Sequence, residues 1–219
     1  MSDLALPALG ARRNLREEIT QTLRAAVISG ELRPGVVYSA PSLATQFGVS
    51  PTPVREAMLD LAGEGLVGTV RNKGFRVTEL SDKDLDELSE LRALIEVPTV
   101  RRIAEAGVPP AVLDELRPLA TEIEEAAARG DLIAHVAADM EFHLKLLSLA
   151  GNQHLVETVR GLRARSRIYG LRSLVDRDAL VPSAHEHAEL LDLLAAGDAA
   201  GVEALMRSHI GHVRGIWAE

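Results

Sequence analysis

The 219-residue chain has no cysteine. That excludes disulfide frameworks, thiolate zinc sites and thiol nucleophiles, and it makes a reducing cytoplasm the simplest home. Aromatic residues are only 3%, so stacking of single-stranded bases on a protein platform is a poor proposal for any part of the chain. No apolar run approaches the ~20 residues that cross a bilayer. The first residues also lack the basic-then-apolar order of a secretory signal. The expectation is a cytoplasmic protein with no membrane partner. Aliphatic material is plentiful: hydrophobic residues make up 47%, enough for the cores of two modest domains.

Histidine is missing from the whole N-terminal half, and all 7 lie at or beyond His135. The net charge of −8 is split as unevenly. Residues 1–80 hold 9 basic and 8 acidic side chains, whereas residues 81–219 hold 15 and 24. The acidic average therefore does not argue against nucleic acid for the N-terminal part, and two regions of different chemistry are implied.

Periodicity gives the regions different folds. Ile19, Leu23, Ala26 and Val27 recur at helical spacing before Gly30, and a Gly30–Gly35 turn follows. Ser39 is a suitable N-cap for a short second helix that ends near Phe47-Gly48, with Pro41 tolerated in its first turn. Ser50 is placed to cap a third helix with Val54, Ala57, Met58 and Leu61 on its apolar face. Alternation then takes over, with Val67, Val70, Phe75 and Val77 around an Asn72-Lys73-Gly74 turn. Three helices and a hairpin make a winged helix-turn-helix. Ser81 and Asp84 read as a capping box, which sets the domain boundary near Leu80. Helices are expected at about 82–106, 110–129, 131–150, 153–175, 183–196 and 198–217, with kinks at Pro98 and Pro118. The fold class is mainly α: a winged helix-turn-helix over 1–80 and an all-α bundle over 81–219.

In a helix-turn-helix the second of the paired helices enters the major groove N-terminus first. Here that end carries Ser50, Thr52 and Arg55. The hydroxyls can reach phosphate or base, Arg55 can bridge O6 and N7 of guanine, and the helix terminus favours a phosphate. Arg71, Lys73 and Arg76 on the hairpin suit phosphate or minor-groove contact. In the bundle, Asp139 and His143 are spaced i,i+4 and share one helical face, where both can reach a common metal.

The run Ile28-Ser29-Gly30-Glu31-Leu32-Arg33-Pro34-Gly35, then Leu43-Ala44, then Gly48-Val49-Ser50-Pro51-Thr52-Pro53-Val54-Arg55-Glu56-Ala57 resembles the GntR family of bacterial transcription regulators. Glu64-Gly65-Leu66-Val67 and Lys73-Gly74-Phe75-Arg76-Val77 extend the match through the wing. The C-terminal half resembles the ligand-binding FCD domain of the FadR subfamily. The residues that carry this are Leu91-Arg92-Ala93-Leu94-Ile95-Glu96, Asp139…Phe142-His143, Gly151-Asn152, Glu186-His187 and Met206-Arg207-Ser208-His209. The third-helix motif commonly has Arg where this chain has Pro51, which removes one contact, and Pro41 replaces a position often charged. Operator sequences are therefore not transferable.

The resemblance implies a homodimeric, ligand-responsive regulator, more commonly a repressor, that binds double-stranded operator DNA. It implies Asp139, His143, His187 and His209 as ligands of one divalent metal. That donor set suits zinc, nickel or manganese, and the positions left open on a six-coordinate ion, with Arg92, point to a small organic acid as effector. Arg92 resembles an arginine that faces the ligand pocket; a buried cation there requires an anionic ligand or a carboxylate such as Glu96. Arg163, Arg165, Arg167 and Arg172 spread over several faces of one helix, as a solvated face or dimer contacts would. Asn152 reads as a C-cap, and His185, two residues from His187, should point off the shared face. His135, His154 and His212 are competitors with plainer roles available. A metal-dependent hydrolase is the rival from another class, and a regulator with a purely structural metal is the second alternative.

Overall fold

The computed structural model describes residues 12–28, 30–167 and 180–215, with side chains at 15–28, 30–166 and 180–211. The chain divides into two compact units, one of residues 1–27 and 32–78 and the other of residues 28–31 and 79–219. The first contains α1 (Arg12–Ile28), β1 (Val37–Tyr38), α2 (Ala40–Phe47), α3 (Pro51–Gly63), β2 (Val67–Val70) and β3 (Gly74–Val77). The second contains α4 (Asp82–Ala106), α5 (Pro110–Arg129), α6 (Leu132–Ser148), α7 (Gln153–Arg167), α8 (Leu180–Ala196) and α9 (Ala199–Gly215).

In the first unit the apolar faces of the three helices meet. Ile19 and Leu23 of α1, Leu43 of α2, and Val54, Met58 and Leu61 of α3 are buried together with Phe75 and Val77 of the sheet. Ser39 caps α2 as its sequence position implies, accepting from Ser42 N–H at 3.2 Å. Ser50 holds the N-cap position of α3 in extended backbone, but its hydroxyl makes no capping bond. The expected capping role of Ser50 is thus corrected: Pro53, at the third helical position, has no N–H for the hydroxyl to accept from.

The sheet has an unforeseen third strand. Its order is β1-β3-β2, all antiparallel, with Tyr38 opposite Phe75 and Thr69 opposite Phe75 on the other side. Two residues are too few to show a period, so β1 could not be read from the pattern. Gly74 is its partner in construction: a Cβ there, at φ +133°, would lie 2.2 Å from the Tyr38 carbonyl oxygen. Asn72 supplies the turn's left-handed residue, at φ 58°.

Among the described residues, the regular elements of the second unit are all helices. Ser81 and Asp84 form a full capping box at the start of α4, a feature worth about 1 kcal/mol. Helices α4 and α5 continue through Pro98 and Pro118. Their buried faces, with Val100, Leu116 and Ile123, join Phe142 and Leu146 of α6, Val159 of α7, Leu190 of α8 and Met206 of α9 in one core. Asn152 departs from its expected C-cap role: its Oδ1 accepts from Leu155 N–H at 3.1 Å and so caps the start of α7. Gly151 supplies the positive φ that ends α6.

Candidate functional site

On the first unit, Ser50, Thr52 and Arg55 are all exposed at the N-terminal end of α3. Glu56 and Leu59 share the outward face with Thr52 and Arg55, and Leu59 is 47% exposed despite being apolar. Neither was singled out from the sequence, although the i+4 and i+7 spacing from Thr52 was the available signal. Arg71, Lys73 and Arg76 are exposed on the hairpin. Behind α3, two forked pairs fix it to α1. Arg16 pairs with Asp60 through two nitrogens, and Arg24 donates to both oxygens of Glu64 at 2.5 and 3.0 Å.

On the second unit the helices bring together residues far apart in sequence. Asp139 and His143 come from α6, His187 from α8 and His209 from α9, and one ligand atom from each lies within 4.8 Å of all the others. All four are buried. His187 Nε2 is 3.1 Å from His143 Nε2 and 3.2 Å from Asp139 Oδ1, and the Phe142 ring meets His143 and His187 edge-on.

Hydrogen bonds set which nitrogen of each ring faces inward. His187 Nδ1 lies 3.0 Å from the Ala184 carbonyl oxygen, and in the tautomer that donates there Nε2 carries the lone pair. His209 Nδ1 donates to Glu186 Oε2 at 2.6 Å. Its Nε2 is buried without a hydrogen-bond partner among the described residues. Burial pushes the His143 imidazole well below its ordinary value, with the nearby Arg163 cation acting in the same direction. Burial also lowers His209, to about 4, against the opposing bond to Glu186. Both rings are therefore neutral at physiological pH, as a ligating imidazole must be. Three imidazole nitrogens, one of them the His209 Nε2 that has no partner among the described residues, and one carboxylate fit a divalent cation. Glu186 holds the His209 ring in place, as the outer partner of a metal-binding imidazole would. Only its place beside His187 hinted at it in the sequence.

The surrounding charges are buried too. Arg92 is 0% exposed, donates from Nε to Glu96 Oε1 at 2.8 Å and from Nη1 to Ser166 Oγ at 3.4 Å. Its Nη2 has no partner among the described residues. Arg163 was expected on a solvated face or in dimer contacts, and this is corrected: it is 0% exposed within the bundle. Nε and Nη2 both donate to Glu96 Oε2, and Nη1 donates to Asp139 Oδ2 at 3.2 Å. Burial alone would raise Glu96, but Arg163 and Arg92 outweigh it and hold the carboxyl below its ordinary value.

The remaining polar candidates take plainer positions. His185 is exposed and pairs with Glu124 at 3.3 Å. His135 is buried with Nδ1 against the Ile123 carbonyl, and His154 is exposed. Arg165 is half-buried, with Nε on the Gly161 carbonyl. The side chains of Arg167 and His212, and all of Arg172, lie outside the described residues.

Among the described residues, no helix is long and apolar enough to cross a membrane. The family profile described as bacterial regulatory proteins, gntR family, matches residues 15–77, and that of the FCD domain matches residues 87–212. A helix-turn-helix transcriptional regulator in an unstable DNA locus of Streptomyces ambofaciens is 32% identical over 201 residues, covering 90% of this chain and 83% of its own. The nta operon transcriptional regulator of Aminobacter aminovorans is 32% identical over 185 residues, covering 84% and 85%. The solved structure of Escherichia coli McbR/YncC superposes with a TM-score of 0.73 at 26% identity, covering 90% of this chain and 94% of its own. These relatives are transcription regulators, not enzymes, which sets aside the hydrolase alternative. With a helix-turn-helix unit followed by an FCD helical unit, the chain belongs to the GntR family of bacterial transcription regulators.

Proposed function

We propose that the protein is a FadR-type, metal-containing repressor, in which residues 1–80 read operator DNA and residues 81–219 sense a small organic acid. Ser50, Thr52 and Arg55 enter the major groove, and Arg71, Lys73 and Arg76 contact the backbone or minor groove. Asp139, His143, His187 and His209 hold one divalent metal, for which zinc, nickel and manganese all accept this mixed donor set. Bound there, the metal supplies a Lewis-acid anchor for an anion. Arg92 supplies the second anchor, through the Nη2 that has no partner among the described residues. The observation that carries this reading is the pairing of four convergent ligand atoms with that orphaned guanidinium nitrogen.

A homodimer suits the reading of an inverted repeat, and the outward side of α4 offers a surface for it. Leu91 and Leu94 are 46% and 66% exposed. They lie between acidic Glu87 and Glu90 and basic Arg101 and Arg102, so antiparallel self-packing places opposite charges together. By acting on DNA, such a dimer works in the cytoplasm.

The mechanism is linkage. An acid that prefers the domain arrangement with misaligned recognition helices lowers operator affinity by the same factor that DNA lowers acid affinity. A coupling of about 1–3 kcal/mol gives roughly 5- to 150-fold release. The test is metal analysis of the purified protein, followed by calorimetric titration of a carboxylate panel with and without metal, and operator binding at fixed salt. Metal- and Arg92-dependent acid binding that weakens operator binding is expected. Full burial of the four ligands also favours a second reading, a structural metal. In that case metal removal lowers stability and no acid alters operator binding.

A further inference from the structure

The carboxylate of Asp139 is held from two sides, and this bears on how it ligates. Oδ1 is the oxygen turned to the imidazoles, 3.2 Å from His187 Nε2 and 3.7 Å from His143 Nε2. Oδ2 accepts from Arg163 Nη1 at 3.2 Å. The guanidinium doing this is itself fixed, because its other two nitrogens both donate to Glu96 Oε2. Glu96 in turn is fixed by Arg92 on Oε1. All four side chains are essentially without solvent exposure. Asp139, Arg163, Glu96 and Arg92 thus form a continuous buried ladder of alternating charge, drawn from α6, α7 and α4.

We propose that Arg163 is a positioning residue that makes Asp139 a one-oxygen metal ligand by occupying Oδ2, with Glu96 as its anchor. The inference rests on the reading of Asp139, His143, His187 and His209 as metal ligands. A carboxylate without such a partner can chelate through both oxygens. Held by one, it contributes a single donor atom, so four residues fill four positions and a six-coordinate cation keeps two for an effector. Arginine suits the task and lysine does not. The planar fork spans Glu96 and Asp139 at once, whereas an ammonium is a single compact charge on a flexible stem. Sequence spacing cannot show this, since Arg163 lies 24 residues from Asp139 and 67 from Glu96.

The charge-conserving variant Arg163→Lys separates geometry from electrostatic repulsion of the metal. Cobalt(II) is the probe, bound to the full-length protein, with affinity measured by chelator competition and coordination by the visible absorption bands. We expect 10- to 100-fold weaker binding, the scale for losing an outer-shell partner, together with weaker bands as Asp139 gains a second contact. Wild-type affinity and an unchanged spectrum in a folded Arg163→Lys protein would overturn the proposal.

A measurement on the wild type keeps the proposal testable if that variant does not fold. Protein carrying ¹³C in its aspartate carboxylates is compared by infrared difference with and without cobalt. A wide separation of the asymmetric and symmetric carboxylate stretches is expected for one-oxygen ligation. A narrow separation overturns this inference alone, whereas failure of the wild type to bind cobalt at the cluster overturns the metal reading as well.

Discussion

Arg–Glu pairs occur in both units of the protein, and their settings are opposite. Arg24 and Glu64 join α1 to the end of α3 with side chains 26% and 30% exposed, while Arg163 and Glu96 meet at 0% on both sides. The first pair is partly solvated whether made or broken, so it contributes little net stability. The second has given up water entirely, and its members depend on one another. The proposed functions follow the same division. The proposed DNA-reading residues are exposed on a nearly neutral unit, so they can be removed without disturbing a core. The candidate metal and effector residues lie inside an acidic unit, where each polar group is part of the packing.

That contrast is broken or sharpened most strongly at Glu96. In Glu96→Ala two buried guanidinium groups lose their shared carboxylate, and the second unit should lose about 3–5 kcal/mol, the usual result of stranding a buried charge. Urea unfolding measures this, and a loss below about 1 kcal/mol would show that water or rearrangement relieves the charge. Arg55→Ala should weaken specific operator binding by about 1–3 kcal/mol while leaving the unfolding curve in place. Fluorescence anisotropy at fixed salt checks the affinity, and equal affinity for wild type and variant removes Arg55 from base readout.

Smaller effects are expected where charge is solvated. Arg24→Ala should cost no more than about 1 kcal/mol, measured by the same unfolding experiment, and a larger loss would mean the fork is needed to place α3. Lys73→Ala should weaken binding about equally for all DNA sequences and flatten the salt dependence by about one unit of slope if it contacts phosphate. Titrations across a range of salt concentrations decide this, and an unchanged slope with altered sequence preference would assign Lys73 to a base instead.

Local chemistry carried most of the fold. The helices of the first unit, the β2–β3 hairpin and the Ser81–Asp84 capping box follow from periodicities and punctuation spanning fewer than about 20 residues, so the chain states them directly. Sequence also identified Asp139 and His143 as sharing a face, because i,i+4 spacing is a property of one helix. His187 and His209 came only with the family resemblance.

Tertiary structure decided what depends on groups from separate elements. It paired the two residues of β1 with β3 and thereby explained why position 74 accepts no side chain. It turned Asn152 from the end of α6 to the start of α7. It placed Arg163, one of several arginines on its helix, inside the bundle between Glu96 and Asp139. An arginine's charge looks the same in the sequence whether it is solvated or buried. Which of the two it becomes is fixed by the carboxylates that other helices bring within hydrogen-bonding distance, and that depends on packing across the fold.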